Sequence, residues 1–388
     1  MSNPHLPAEI LDHVVDHLHD TGDALRNCGL VSKLWIPRTR KHLFAYVRFQ
    51  TGEDLRSWKE TFPDPSTSPA RYAKTLFVDC SRVMAAADAE AGGWIRGFSH
   101  VVHLRLNSWC FDSETSLVPL HGLSPAVKSL YADIPTFSSA RVFDLVLSFP
   151  LLEDLDVSAR EDGDSSGFAR PSTSPTFTGS LVLLSFGMKY FARQLLSLPG
   201  GIHFRNLTLT WSYNGDLSLI MALVEECSHT LEYLNITGEI RGMCSNIWVR
   251  IDNSLPPLNG PGSPSFDLSK ATKLRNAVFR PDLRNAEWVS TTLKTITPKH
   301  QGLQGISIYV PCLTFAGGGN ARQIAGEAGY RQWLDLDRLL IQLWESHLVR
   351  SEAVIERWVE AVSDSVGRLL PEMTKRGIVD LVEPSACR

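Results

Sequence analysis

A short motif, apolar-x-x-apolar-x-apolar, recurs along most of the chain, and its spacing constrains the fold more than any other feature. The middle residue of the motif falls at Val47, Leu76, Leu104, Leu130, Leu155, Leu184, Leu207, Leu234, Ala277 and Ile306. Successive middle residues lie 23 to 29 positions apart, with a single longer interval of 43. One such triplet means little in a chain that is 43% apolar, so the regular interval is the informative part. Alternation around each middle residue suits a strand that buries one face. Helices are legible between several strands, at Asp144 to Phe149 and at Leu217 to Cys227.

This period and alternation resemble leucine-rich repeats, whose stacked parallel strands line one face while helices back them. The resemblance implies an α/β fold over residues 46–310. The position five residues after each middle residue, where such repeats favour Asn or Cys for a buried hydrogen-bond ladder, holds neither. The repeats are therefore degenerate, and an irregular solenoid is expected. Two insertions read as exposed loops, 161–180, rich in Ser, Thr, Pro and Gly, and 253–265, with four prolines and two glycines. A shorter Pro/Ser linker runs from Thr61 to Pro69. Beyond Ile308 the period lapses, and residues 311–388 are expected to form a helical cap. Trp333, Leu336, Leu340, Leu343 and Trp344 would make one helix face, and Ile355, Trp358, Val362, Val366 and Leu369 a second. A short strand from Ile378 to Val382 follows Gly377.

The first 45 residues have another texture. Pro7 and Glu9 suit the first turn of a helix, since proline has no N–H to lose there and an acid favours the positive end of the dipole. Ile10, Leu11, Val14, Val15 and Leu18 make its apolar face, and Asp12, His13, Asp16, His17 and Asp20 the polar one, with Gly22 as its stop. A second helix from about Asp23 carries Leu25, Cys28 and Leu30. A third, around Val31 to Trp35, is broken by Pro37 and resumes through Arg40 to Phe44. Three helices in so few residues bury too little surface to stand alone, so such a module leans on a partner.

The run Leu6-Pro7-Ala8-Glu9-Ile10-Leu11, then Leu25, then Val31-Ser-Lys-Leu-Trp35, resembles the F-box, which opens with Leu-Pro-x-Glu-Leu/Ile and closes with Val-x-x-x-Trp. The continuation through Arg38, Arg40, His42 and Phe44 is similar to F-box variants of mushroom-forming fungi. The resemblance covers residues 5–45. It implies docking to the Skp adaptor through Leu6, Pro7, Ile10, Val31 and Trp35, and through Skp to a cullin and ubiquitin transfer. It equally allows an F-box protein that binds Skp outside a ligase.

Net charge is −4, which gives no global footprint for nucleic acid or an anionic membrane. The seven cysteines are scattered without a C-x-x-C pair, as expected of a reduced protein in the cytoplasm or nucleus. Residues 300–321 contain five glycines and cannot be a membrane span. Gly163-Asp-Ser165-Ser-Gly167 matches a hydrolase signature, yet its Ser/Pro-rich flanks lack the strand and helix that expose such a serine. His13 and His17 have metal-ligand spacing but lack the accompanying glutamate, and Ala316-Gly-Gly-Gly-Asn320 lacks the lysine of a phosphate loop. Arg38, Arg40, Lys41 and His42 read as a solvated basic face. No catalytic residue, cofactor or metal is therefore expected.

The chain reads as a non-catalytic adaptor with a protein target. Strand alternation turns the neighbours of each middle residue outward, so target contacts are expected at His103, Arg105, Tyr131, Asp154, Asp156, Tyr233 and Asn235.

Overall fold

The computed structural model describes residues 8–64, 67–80, 83, 92–108, 117–160, 175, 177–183, 188–211, 217–238, 265–281, 286–310, 321–345, 350–356, 370–376 and 379–382. The expected insertions therefore fall largely outside the described residues, as do Ser165, the 316–320 glycine run, Leu6 and Pro7. The chain divides into two compact units, Met1–Phe177 and Thr178–Arg388. Both are α/β, and every paired strand is parallel.

The first unit opens with α1 (Ala8–His17), α2 (Gly22–Val31), a 3-10 turn at Lys33–Trp35 and α3 (Ile36–Leu43). Gly22 starts α2 and does not end α1, whose last turn closes by Leu18 N–H to the Val15 carbonyl. Pro37 likewise stands in the first turn of α3, where its missing N–H has no partner to lose, so it begins that helix and does not break it. The shared core of these helices is small, with Val15, Leu25 and Thr39 fully enclosed. Asp16 supplements it. Its carboxylate accepts hydrogen bonds from Arg38 Nε at 2.6 Å, from a second Arg38 nitrogen and from His42 Nε2 at 2.7 Å. Arg38 first, then His42, hold that carboxyl well below the usual carboxylate range. The expected solvated acidic and basic faces are thus, at these three residues, a clasp between α1 and α3.

Five strands follow: β1 (Tyr46–Phe49), β2 (Thr75–Asp79), β3 (His103–Asn107), β4 (Ser129–Ser138) and β5 (Asp154–Arg160). Their register aligns Val47, Leu76, Leu104, Leu130 and Leu155 across the sheet. All five are at most 5% exposed, so the motif's middle residues are the core of this unit. Parallel sheets are ordinarily covered on both faces. Here the alternate residues remain half-exposed or exposed, which leaves one face open.

The covered face is closed by α4 (Gly52–Thr61), helical turns and the helix Ser139–Leu147. Thr51 starts α4 with a capping box: its hydroxyl accepts the Asp54 N–H at 3.2 Å, and Asp54 accepts the Thr51 N–H at 2.9 Å. Phe44, Phe49, Trp58, Phe62, Trp94 and Phe98 form an edge-to-face aromatic cluster that ties α4 to β1. The end of the Thr61–Pro69 linker is packed and not exposed, because Ser68, Pro69 and the following Ala70 are buried and Ser68 caps a 3-10 turn.

The second unit carries β6 (Ser180–Leu183), β7 (Asn206–Trp211), β8 (Tyr233–Gly238), β9 (Asn276–Arg280) and β10 (Gly305–Val310). Leu181, Leu207, Leu234, Ala277 and Ile306 align across it, all at most 1% exposed. The expected middle residue Leu184 is thereby corrected to Leu181. Thr178 occupies the first apolar place of the true motif and hid it, while Leu181, Leu184 and Phe186 matched the pattern by chance. Helices Met188–Leu196, Leu217–Cys227 and Glu287–Leu293 bury Phe191, Leu223 and Trp288 against these strands.

The strand ladder continues past residue 310. A long helix, Ala321–Glu345, buries Trp333, Leu336 and Leu340, as expected, and then returns to β11 (Arg350–Glu356), parallel to β10, with β12 (Val379–Val382) beside it. Ile355 lies in β11, opposite Val310, and not on the second helix face expected for it. Arg350 to Ile355 pair residue for residue with Gly305 to Val310, a ladder that local spacing does not show, while Trp358, Val362, Val366 and Leu369 lie outside the described residues. Asp337, only 1% exposed, accepts the N–H groups of Glu372 at 2.9 Å and Met373 at 3.1 Å, which caps the short helix Pro371–Lys375. Among the described residues, no helix is long and apolar enough to cross a membrane.

Candidate functional site

Three surfaces concentrate the side chains that could recognise a partner. The first is apolar and N-terminal. Ile10, Val14, Leu30, Val31 and Leu34 are exposed by 48%, 46%, 85%, 73% and 80%. Among the described residues these are five of the seven large apolar side chains that stand exposed, although they occupy only α1, α2 and the Lys33–Trp35 turn that touches both. Scattered exposed leucines are ordinary, whereas such a concentration marks an interaction surface. Two expected docking residues, Ile10 and Val31, belong to it. Trp35 is half-buried, which gives it a packing role as well, and Leu30, Leu34 and Val14 join the surface unanticipated.

The second is the open face of β1–β5. Register places Arg48, Phe77, Arg105, Tyr131 and Asp156 in one row across five strands, and Thr75, His103, Ser129 and Asp154 in the row beside it. The structure thus brings together all five target-contact residues expected in this unit. The Arg105 guanidinium stacks 4.9 Å from the Tyr131 ring centroid, and Arg48 stacks 4.6 Å from that of Phe77. Burial, then the neighbouring Asp133 carboxylate, push the Asp156 carboxyl up to about 6, against the pull of Arg105. Burial also raises Asp133, which a hydrogen bond from Ser158 partly offsets, and it raises the Tyr131 hydroxyl. Asp133, Arg48 and Phe77 were not anticipated, yet they occupy outward places of the same alternation.

The third lies on the open face of β6–β9. Ser180, Asn206, Tyr233 and Asn276 form one row, with Val182, Thr208, Asn235 and Val278 in the next. Tyr233 and Asn235 are therefore outward on β8, as expected, and burial raises the Tyr233 hydroxyl while Arg280 and Asn235 pull it down. Above these rows is a cavity of about 490 Å³. Asn206 Nδ2 donates to Ser180 Oγ at 3.0 Å, and at the edge Arg275 Nε faces Glu232 at 3.7 Å. Misplacing β6 at Leu184 concealed Ser180 and Val182, and with them the cavity.

None of these surfaces carries a catalytic constellation. Among the described residues, His13 and His17 included, no three His, Cys, Asp or Glu side chains stand where they could share a metal ion. Burial pushes the Cys227 thiol up to about 12 and the Cys80 thiol higher still, which is the reverse of what activates a nucleophile. A scan against protein-family models finds no match, and a search of curated proteins finds no related sequence.

Proposed function

We propose that this chain is an F-box adaptor, the substrate-recognition subunit of a Skp-cullin-F-box ubiquitin ligase. In this reading α1–α3 are the F-box and bind Skp, and the strand ladders form an irregular leucine-rich-repeat solenoid whose open faces hold a protein target. The observation that carries it is the coincidence of the F-box-like residues with the concentrated apolar surface on α1, α2 and the Lys33–Trp35 turn. An apolar surface of that kind is retained when a partner covers it. The one-sided strand ladders support the second half, since repeat proteins bind through the face their helices leave open. No bond chemistry is required of the chain. It works by position, raising the effective concentration of target near a ubiquitin-charged enzyme, in the cytoplasm or nucleus.

The test is affinity capture of the tagged full-length chain from cells, followed by detection of Skp and cullin. Both are expected. Capture without Skp would overturn the reading, and Skp without cullin would place the protein outside a ligase.

A further inference from the structure

We infer that the cavity over β6–β9 is a binding site for a neutral, hydroxyl-rich ligand of the saccharide class, one or two pyranose rings in size. Its volume of about 490 Å³ falls within the roughly 300–1,000 Å³ usual for small-ligand sites. The lining decides the chemistry. Ser180, Asn206, Thr208 and Asn276 each offer both a hydrogen-bond donor and an acceptor, which is also what a sugar hydroxyl offers. Planar amides at Asn206 and Asn276 stand two strands apart, about 9.5 Å by the usual interstrand spacing, a span that two linked rings cover. Tyr233 and Val182 add the apolar surface that the C–H face of a pyranose requires.

Other ligand classes fit worse. Among the described residues that line the cavity the charged ones are Glu232 and Arg275, which face each other across 3.7 Å, so a charged ligand competes with an existing ion pair. An apolar ligand would strip water from two amides and return no hydrogen bonds. A free saccharide and a glycan carried on a protein share this chemistry. The inference concerns ligand binding by the second unit and does not depend on Skp.

The experiment probes an array of neutral and sialylated oligosaccharides with the purified full-length chain, follows hits by titration calorimetry with the free sugar, and compares capture on ribonuclease B with capture on its unglycosylated counterpart, ribonuclease A. Neutral oligosaccharides are expected to bind, and Thr208→Val with Asn276→Ala to weaken that binding tenfold or more. Neither side chain makes a hydrogen bond among the described residues, so an unchanged melting curve is expected, and Asn276→Gln provides a second variant should the double one unfold. Binding of the free sugar alone assigns a small-molecule site, and binding to ribonuclease B as well assigns a glycan receptor. No bound neutral oligosaccharide, binding that the variants leave unchanged, or equal capture of ribonuclease A would overturn the inference; the last would mean that the face reads polypeptide. Skp capture is expected to be unaffected by every variant, which separates this failure from failure of the adaptor reading.

Discussion

Replacing Leu30, Val31 and Leu34 together by serine tests the N-terminal surface most directly, because the three residues are the most exposed large apolar side chains described, at 85%, 73% and 80%. Full burial of such a side chain stabilises by about 1.5–3 kcal/mol, so covering what these three expose would contribute about 4–6 kcal/mol. Association consumes part of that, and not every atom is covered, so a loss of about 3 kcal/mol, or roughly 100-fold in affinity, is the conservative expectation. The folded chain should barely notice. Exposed substitutions usually change stability by within about 0.5 kcal/mol each, and Leu30 and Val31 sit in the last turn of α2, where serine is tolerated. The assay is titration calorimetry against purified Skp adaptor, paired with a thermal melt of the same preparation. Parental affinity in the triple variant would refute the reasoning. So would a melt shifted as far as that of Val15→Ala, a change at a residue with no exposure, since the surface would then be core.

Four further outcomes follow from the packing and electrostatics. Asp337→Ala should lower the stability of the second unit by about 2–4 kcal/mol in urea unfolding, because two N–H groups lose a buried acceptor. Thr51→Ala should cost about 1 kcal/mol in the same assay, half of its capping box being lost. The Asp156 carboxyl, at about 6 in the folded chain, lies above its unfolded value, so its contribution is fully present below pH 4 and is lost as pH rises through 6. Asp156→Asn should therefore gain on the parent between pH 4 and 7, by about 1–2 kcal/mol after discounting for solvent screening, and a constant gap across that range would contradict it. Iodoacetamide should leave Cys80 and Cys227 unmodified until the chain unfolds, as both are fully enclosed and their thiols are pushed up; native labelling at either would contradict the packing.

Much of this architecture is legible in local pattern. Nine of the ten expected middle residues, from Val47 to Ile306, align in the two ladders, because a buried apolar residue flanked by polar ones is a property of a few consecutive positions. Helix Leu217–Cys227 begins and ends where its apolar run does. Failures occur where two local patterns compete. Leu184 satisfied the triplet whereas Leu181, with Thr178 three places before it, did not, and only pairing with Leu207 identifies Leu181 as the aligned residue. Ile355 fitted a helical spacing, and only the β10 ladder, which provides a partner for each residue from Arg350 to Ile355, makes it part of a strand. Polar residues were the hardest to place. Asp16, His42 and Arg38 read as solvated faces because nothing in a linear pattern shows that residues 22 and 26 positions apart will meet.

The sequence by itself determined most of the core positions and strand recurrences up to residue 310, and that the first 45 residues form a separate helical texture, since each of these depends on local periodicity. Only the tertiary structure decided which outward side chains stand beside one another. Arg105 over Tyr131, with Asp156 next in the row, and Ser180, Asn206, Tyr233 and Asn276 around one cavity, are juxtapositions of residues some 25 to 45 positions apart in the chain. They exist because parallel strands meet in register only after the chain between them has returned to the same end of the sheet. A one-residue slip would have turned every one of those side chains to the opposite side.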